Sequence, residues 1–180
     1  GGPFSGIQEQ GFLTGLYDDP NATDQGTPAA QLARLLLETD WIRVGMAGGL
    51  ADYELIDRNG DLVTADEIDY NGQPAGYTAD PQELINYVEA HDNETLFDAI
   101  HFKAPASASM ADRVRIQNLG MSLLSLGQGI PFFHAGVDLL RSKSLDRNSY
   151  NSGDWFNKLD FTGQDNNWGK GLPPAGDNQG

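Results

Sequence analysis

The sequence contains no cysteine. That absence excludes a disulfide framework, thiol nucleophiles and Cys-ligated zinc, and it leaves the compartment open, since secreted and cytosolic proteins both occur without cysteine. Positive charge is scarce as well: 11 Lys and Arg stand against 26 Asp and Glu, for a formal charge of −15 and a pI near 4.2. Nucleic acid and anionic membrane both draw affinity from Lys and Arg neutralising phosphate, so neither is an expected partner, whereas a neutral or cationic one is. No apolar run approaches the roughly 18 to 20 residues that a membrane span needs. The chain opens on Gly1-Gly2-Pro3-Phe4, neither an initiator Met nor a basic signal-peptide head, and ends on the loop-like run from Leu172 to Gly180. With 39% hydrophobic residues over 180 positions there is material for one core and not two, and the expectation is a piece of a larger domain.

What is present reads as alternating elements. Residues 1–26 hold Gly, Pro and an Asp-rich tract without a period of 2 or 3.6, and are predicted to form an ordered loop. Thr27-Pro28 offers a hydroxyl at the N-cap and proline at the first helical position, and Leu32, Leu35 and Leu36 follow at i, i+3 and i+4, predicting a helix over about 28–43. Tyr53 to Ile56 and Leu62-Val63 flank Arg58-Asn59-Gly60, and Asn-Gly between apolar runs predicts a hairpin. Ile85 to Val88 reads as a strand, and Glu94 to Ile100 as a short helix capped by Asn93. Ser109 to Leu126 reads as a long helix whose face holds Met110, Val114, Met121 and Leu124, broken by Gly127 and Gly129; Ile130 to Phe133 reads as a second strand. Strand, helix, strand over 85–136 is a βαβ unit with parallel strands, so the fold class is α/β. After residue 140 the chain turns polar around Tyr150, Trp155 and Phe156, which predicts a long binding loop rather than core. No repeat or low-complexity tract is visible.

In parallel α/β folds, polar residues at the C-terminal ends of strands face the site, which makes His91, Asp92 and Asn93 candidates; the alternative is that they merely cap the next helix. The second strand ends at His134, which either lines the same end or satisfies a buried backbone group. The following stretch, Arg141 to Asn157, mixes Asp, Asn and Arg with flat aromatics. Such groups satisfy vicinal hydroxyls and cover the C–H faces of a sugar, so carbohydrate recognition is the chemistry suggested. Asp18, Asp19, Asn21 and Asp24 could hold calcium or form a solvated turn, and the latter fits the spacing better. Asp57 to Asp61 is better explained by the hairpin, and His101 reads as a surface residue.

Three long segments carry a resemblance: Asn86-Tyr87-Val88-Glu89-Ala90-His91-Asp92-Asn93-Glu94-Thr95-Leu96-Phe97-Asp98, Gly127-Gln128-Gly129-Ile130-Pro131-Phe132-Phe133-His134-Ala135-Gly136, and Leu139 to Ser144 with Ser152-Gly153-Asp154-Trp155-Phe156-Asn157. Together with Gly11 to Leu16 and Val44 to Gly48, the chain resembles the type I pullulanases and limit dextrinases, starch-debranching members of the α-amylase family of glycoside hydrolases. The resemblance implies a (β/α)8 barrel that hydrolyses α-1,6 branch linkages in pullulan, amylopectin and limit dextrins with retention, which takes two carboxylates about 5 to 5.5 Å apart. It implies that Asp92 is a third carboxylate, gripping the distorted sugar and stabilising the transition state. His91 would bind the same sugar, Asn93 would line the cleft, and Arg147 and Asn148 would face subsite −1 from the loop after the last strand.

The family's Arg-x-Asp and Gly-Glu-x-Trp motifs, which carry nucleophile and acid/base, do not occur in residues 1–180. The resemblance therefore places the chain at about the seventh and eighth barrel strands, with 141–180 as the loop region after them. The rest of the same barrel becomes its missing partner, and the chain alone is expected to be inactive. No cofactor is required, and calcium is carried by many members. Bacterial relatives are exported and plant relatives plastidial. The alternatives are a noncatalytic α-glucan-binding fragment and an isoamylase or glycogen-debranching relative; the Arg141 to Asn157 loop favours the pullulanase group.

Overall fold

The computed structural model describes residues 6–176 and 178. The first long helix, α1, spans Pro28–Met46, three residues beyond the predicted end, with Pro28 in its first turn and the Thr27 hydroxyl accepting the Ala30 N–H. Before it, residues 6–26 form the expected ordered loop. The buried Gln10 amide organises it: its oxygen accepts the Asn21 N–H at 2.8 Å and its nitrogen donates to the carbonyls of Thr14 and Asp19. Phe12 N–H donates to Glu38 on α1, and the Asn21 side chain donates to the Lys103 carbonyl.

Two hairpins pack on the other side of α1. Strands β1 (Glu54–Ile56) and β2 (Leu62–Thr64) pair antiparallel, and β3 (Asp69–Tyr70) pairs with β4 (Gln73–Pro74). Val44, Leu55, Ala65 and Ile68 form a buried cluster with Trp41 and Tyr53 against it. Asp40, buried on α1, accepts the Arg58 N–H at 3.0 Å and ion-pairs with Arg43 and Arg58, fixing the first hairpin. The Asn59-Gly60 hairpin is present, but only Gly60 takes a positive φ, in a three-residue connection whose Asp57 carboxylate accepts the Asn59 and Asp61 N–H groups. The two-residue turn with both φ positive is Asn71-Gly72, between β3 and β4, a hairpin the sequence reading did not single out.

Strands β5 (Ile85–Asn86) and β6 (Ile130–Pro131) pair in parallel, as expected, but each is shorter than the apolar run that predicted it. Between them lie α2 (Leu96–Lys103) and α3 (Met110–Leu126). The cap of α2 is Thr95, whose hydroxyl accepts the Asp98 N–H, and not Asn93, which sits two residues earlier with φ of 60°. Ser109 and Asp112 form a capping box on α3. Its inner face is Gln117, Gly120 and Leu124, while Met110 is exposed, contrary to the predicted stripe. Gly120 lets α3 approach closely, since a Cβ there would lie 3.3 Å from both Leu13 and Leu96. Leu96, Ile100, Ala104 and Val137 make the second core cluster, with Val88 and Met121 packed on it. The faces of Ile130 and Phe132 stay open to solvent, as do Ile85 and Tyr87.

The polar stretch after β6 departs most from expectation. Arg141, Ser142, Lys143, Ser144, Asp146 and Ser149 are buried rather than displayed as a loop, and α4 (Asp154–Asn157) buries Phe156 beneath an exposed Trp155.

A Cβ at position 72 meets nothing within 4 Å, so Gly72→Ala isolates the backbone requirement of the turn and is expected to cost about 1 kcal/mol. Gly45→Ala, at an equally open helical position, is expected to be neutral or stabilising. Urea midpoints of the two variants check this, and equal effects would overturn the turn assignment.

Candidate active site

Beyond β5 the chain bends at Val88, passes Glu89 and loops through residues 90–93 before α2. His91 and Asp92 stand at the loop's outer edge, with side chains 86% and 77% exposed and His91 Nδ1 3.2 Å from an Asp92 oxygen. Arg147 reaches the base of the loop, its Nε 3.0 Å from Glu94 Oε1. The Asn148 N–H donates to Asp146 Oδ1 at 2.9 Å. His91, Asp92, Arg147 and Asn148 line one cleft of about 130 Å³ with Ser149, Tyr150 and Asn157. Four of the five sequence-derived candidates thus meet across some 50 residues of chain. Asn93, exposed and in a left-handed conformation, shapes the loop but does not line that cleft.

Beneath the loop lies a polar network that the sequence reading missed. Arg141 Nη1 is 3.2 Å from His134 Nε2, and His134 Nδ1 is 3.0 Å from Glu89 Oε1. A guanidinium can only donate, so Nε2 accepts, the ring hydrogen sits on Nδ1, and Nδ1–H donates to Glu89. Burial, followed by the charges of Arg141, Lys143 and His91, lowers the His134 pKa and keeps the ring neutral. Glu89 Oε2 accepts the Leu96 N–H, so one carboxylate ties β5's exit, the N-terminus of α2 and the turn after β6. Asp98 accepts from the Ser142 hydroxyl at 2.6 Å and the Lys143 N–H at 2.8 Å, and Lys143 Nζ donates to the His91 carbonyl at 3.1 Å. His134 was marked by its place at the second strand's end, though its partners are the side chains of Glu89 and Arg141 rather than a backbone group; for the others the only sequence signal was their place within the three family-like segments, because a polar run reads as surface until its partners are known.

Other candidates resolve differently. Asn21 is engaged with backbone groups and Asp24 accepts the Gly26 N–H, which fits the turn; among the described residues no group of three His, Asp or Glu is placed to hold a metal. His101 is half-buried in a three-ring cluster with Phe97 and Trp168, its ring tilted against both, rather than on the surface. A larger cavity of about 640 Å³ opens between residues 6–14, α1 and α2, lined by Phe12, Leu13, Trp41 and Ile100, away from His91 and Asp92.

No protein-family model matches the chain. Against curated proteins it is 52% identical over 180 residues to the chloroplastic pullulanase 1 of Arabidopsis thaliana, covering 99% of the chain and 19% of that protein. It is 48% identical to the pullulanase of Klebsiella aerogenes, covering 98% of the chain and 16% of the relative. The crystal structure of Klebsiella pneumoniae pullulanase complexed with maltotriose matches 99% of the chain and 17% of its own, at 46% identity and a TM-score of 0.91. The chain is homologous to one segment of the pullulanases. It spans less than a fifth of the pullulanase relatives that it matches over nearly its whole length.

Within this homologous segment Glu89 stands out. Burial pushes its carboxyl up from 4.5 to about 7, against the Leu96 N–H and the Arg141 and Lys143 charges, while Asp98 adds to the rise. A carboxyl with a raised folded-state pKa holds more protons folded than unfolded between those values. Its contribution to stability is therefore full below about pH 4.5 and lost as the pH rises through about 7. Burial pushes Asp98 in the same direction. The stability of the wild type relative to Glu89→Gln is expected to fall by up to about 3 kcal/mol from pH 4.5 to 8. Urea unfolding across that range checks it, and a difference growing with pH would refute it.

Proposed function

We propose that the chain is the C-terminal part of a (β/α)8 catalytic barrel, about its seventh and eighth strands, in a debranching enzyme that hydrolyses α-1,6-glucosidic linkages with retention. The observation that carries this reading is the cleft in which His91 and Asp92, at the end of the β5 segment, meet Arg147 and Asn148, from the segment after β6, in a chain homologous to pullulanases. In this reading Asp92 accepts from sugar hydroxyls and opposes the positive charge that develops at the anomeric carbon. His91 and Arg147 donate to the same sugar, Asn148 contacts it from the opposite wall, and Asn93 shapes the loop's exit. The exposed ring of Tyr150 offers a face for the C–H side of a glucose unit. The maltotriose bound to the Klebsiella pneumoniae relative supports an α-glucan as ligand.

The described carboxylates around the cleft do not supply a nucleophile or acid/base. Glu89 and Asp98 are buried and engaged with donors, Asp146 is buried, and Glu94 is paired with Arg147. The pure 180-residue chain is accordingly expected to release no reducing ends from pullulan; detectable release refutes this. In the complete enzyme, Asp92→Ala should lower kcat by at least about a thousandfold while glucan binding changes little, as measured by pullulan hydrolysis and calorimetric maltotriose binding. Equal loss of turnover and binding would favour a noncatalytic glucan-binding role instead.

A further inference from the structure

A carboxylate that stabilises developing charge has to be held to within a fraction of an ångström, yet Asp92 sits on an exposed loop. Two buried groups hold that loop. At its base, Glu89 joins the residue that leaves the strand to the first residue of α2 and to His134, with Arg141 behind His134 donating also to the carbonyls of Ala135 and Asn157. At its apex, Lys143, 1% exposed, sends its ammonium to the His91 carbonyl. That carbonyl belongs to the peptide unit that joins His91 to Asp92. The unit is planar and trans, so holding its oxygen restrains the rotation of the plane that carries the Asp92 N and Cα.

A buried ammonium is costly, and an apolar side chain of the same length would fill the space without that cost. What the apolar chain lacks is a donor for the His91 oxygen. The charges of Asp146, Asp98 and Glu94 favour the ammonium, opposing the desolvation and the repulsion from Arg141 that lower its pKa. The Lys143 backbone is itself anchored, its N–H held by Asp98. The ammonium therefore approaches the loop from a fixed point.

We propose that Lys143 is a positioning residue for Asp92, setting the orientation of the His91–Asp92 peptide and through it the carboxylate that faces the sugar. The inference rests on the reading of Asp92 as the substrate-facing carboxylate. Its consequence is a loss in the chemical step rather than in ground-state binding, because a displaced carboxylate forfeits the interaction that strengthens toward the transition state.

The test uses the complete enzyme. Lys143→Met keeps the apolar stem and removes the donor; kcat on pullulan should fall about 10- to 100-fold with KM changing less than about threefold. Lys143→Gln, polar but too short to reach the His91 carbonyl, is expected to behave alike and serves where Lys143→Met does not fold. Adding either substitution to Asp92→Asn, with an aryl α-maltotrioside carrying a good leaving group as substrate, should cost less than about twofold more, since the group being positioned is already gone. An unchanged kcat in the single variant, or the full loss repeated on the Asp92→Asn background, overturns the proposal. If Asp92→Asn by itself leaves kcat intact, it is the underlying reading of Asp92 that fails; if it abolishes turnover while Lys143→Met does not lower it, only the positioning role falls.

Discussion

One carboxylate, that of Asp98 in the first turn of α2, decides where the polar stretch after β6 lies. It is fully buried, and burial raises its pKa, so leaving it unpaired would cost several kcal/mol. Apart from the Thr95 hydroxyl, its partners come from a single run of chain: the Ser142 hydroxyl and the backbone N–H groups of Lys143 and Leu145. Satisfying Asp98 therefore bends residues 142–145 around the start of α2. Ser144 and Leu145 accept left-handed conformations in doing so, at φ of 52° and 67°, a strain of about 1 kcal/mol each that the bonds to Asp98 offset. The bend delivers Lys143 beneath His91 and carries Arg147 and Asn148 to the flank of Asp92.

The second constraint runs the other way along the same wall. Arg141 donates to His134 and to two carbonyls, His134 to Glu89, and Glu89 accepts at the N-terminus of α2, where a negative charge also meets the positive end of the helix. Each member has one protonation form that satisfies its neighbours, so the network has a direction. A second proton on His134 would place a donor against the Arg141 donor. The interior at this end of the molecule is thus polar and specified, while the apolar clusters under α1 and between α2 and α3 hold the frame.

Local chemistry made some of this legible in advance. Thr27-Pro28 and Ser109 announced two helix starts, and the parallel pairing of β5 with β6 followed from strand, helix, strand order. His91 and Asp92 were nameable because polar residues at strand ends face the site in parallel folds, whereas Arg147 and Asn148 were nameable only through the resemblance to the debranching family. What stayed hidden depended on distant partners. Asn59-Gly60 and Asn71-Gly72 are the same dipeptide, and only the flanking register separates a three-residue connection from a two-residue turn. Thr95 and Asn93 are both good caps, and Glu89 occupying the Leu96 N–H accompanies the helix start at Thr95. Arg141 to Ser144 read as surface because four polar residues in a row carry no signal of a buried Asp98 some 45 positions earlier.

The openness of the cleft and the openness of the strands have one cause. A parallel pair buries both faces in the folds where it occurs, yet Ile85, Tyr87, Ile130 and Phe132 face solvent beside the loop that carries Asp92. Electrostatics makes the same demand from the other direction. Two unit charges 4 Å apart gain about 1 kcal/mol in water and about 4 kcal/mol at an effective dielectric of about 20, so a carboxylate as exposed as Asp92 does little for a developing cation. On the proposed reading, the neighbouring strands that cover Ile85 and Phe132 are also the ones that wall off Asp92 and bring up the two missing carboxylates. Completing the hydrophobic layer and lowering the dielectric around the sugar are then one event. The bonds of Glu89, Asp98 and Lys143 that hold the loop close entirely within this segment.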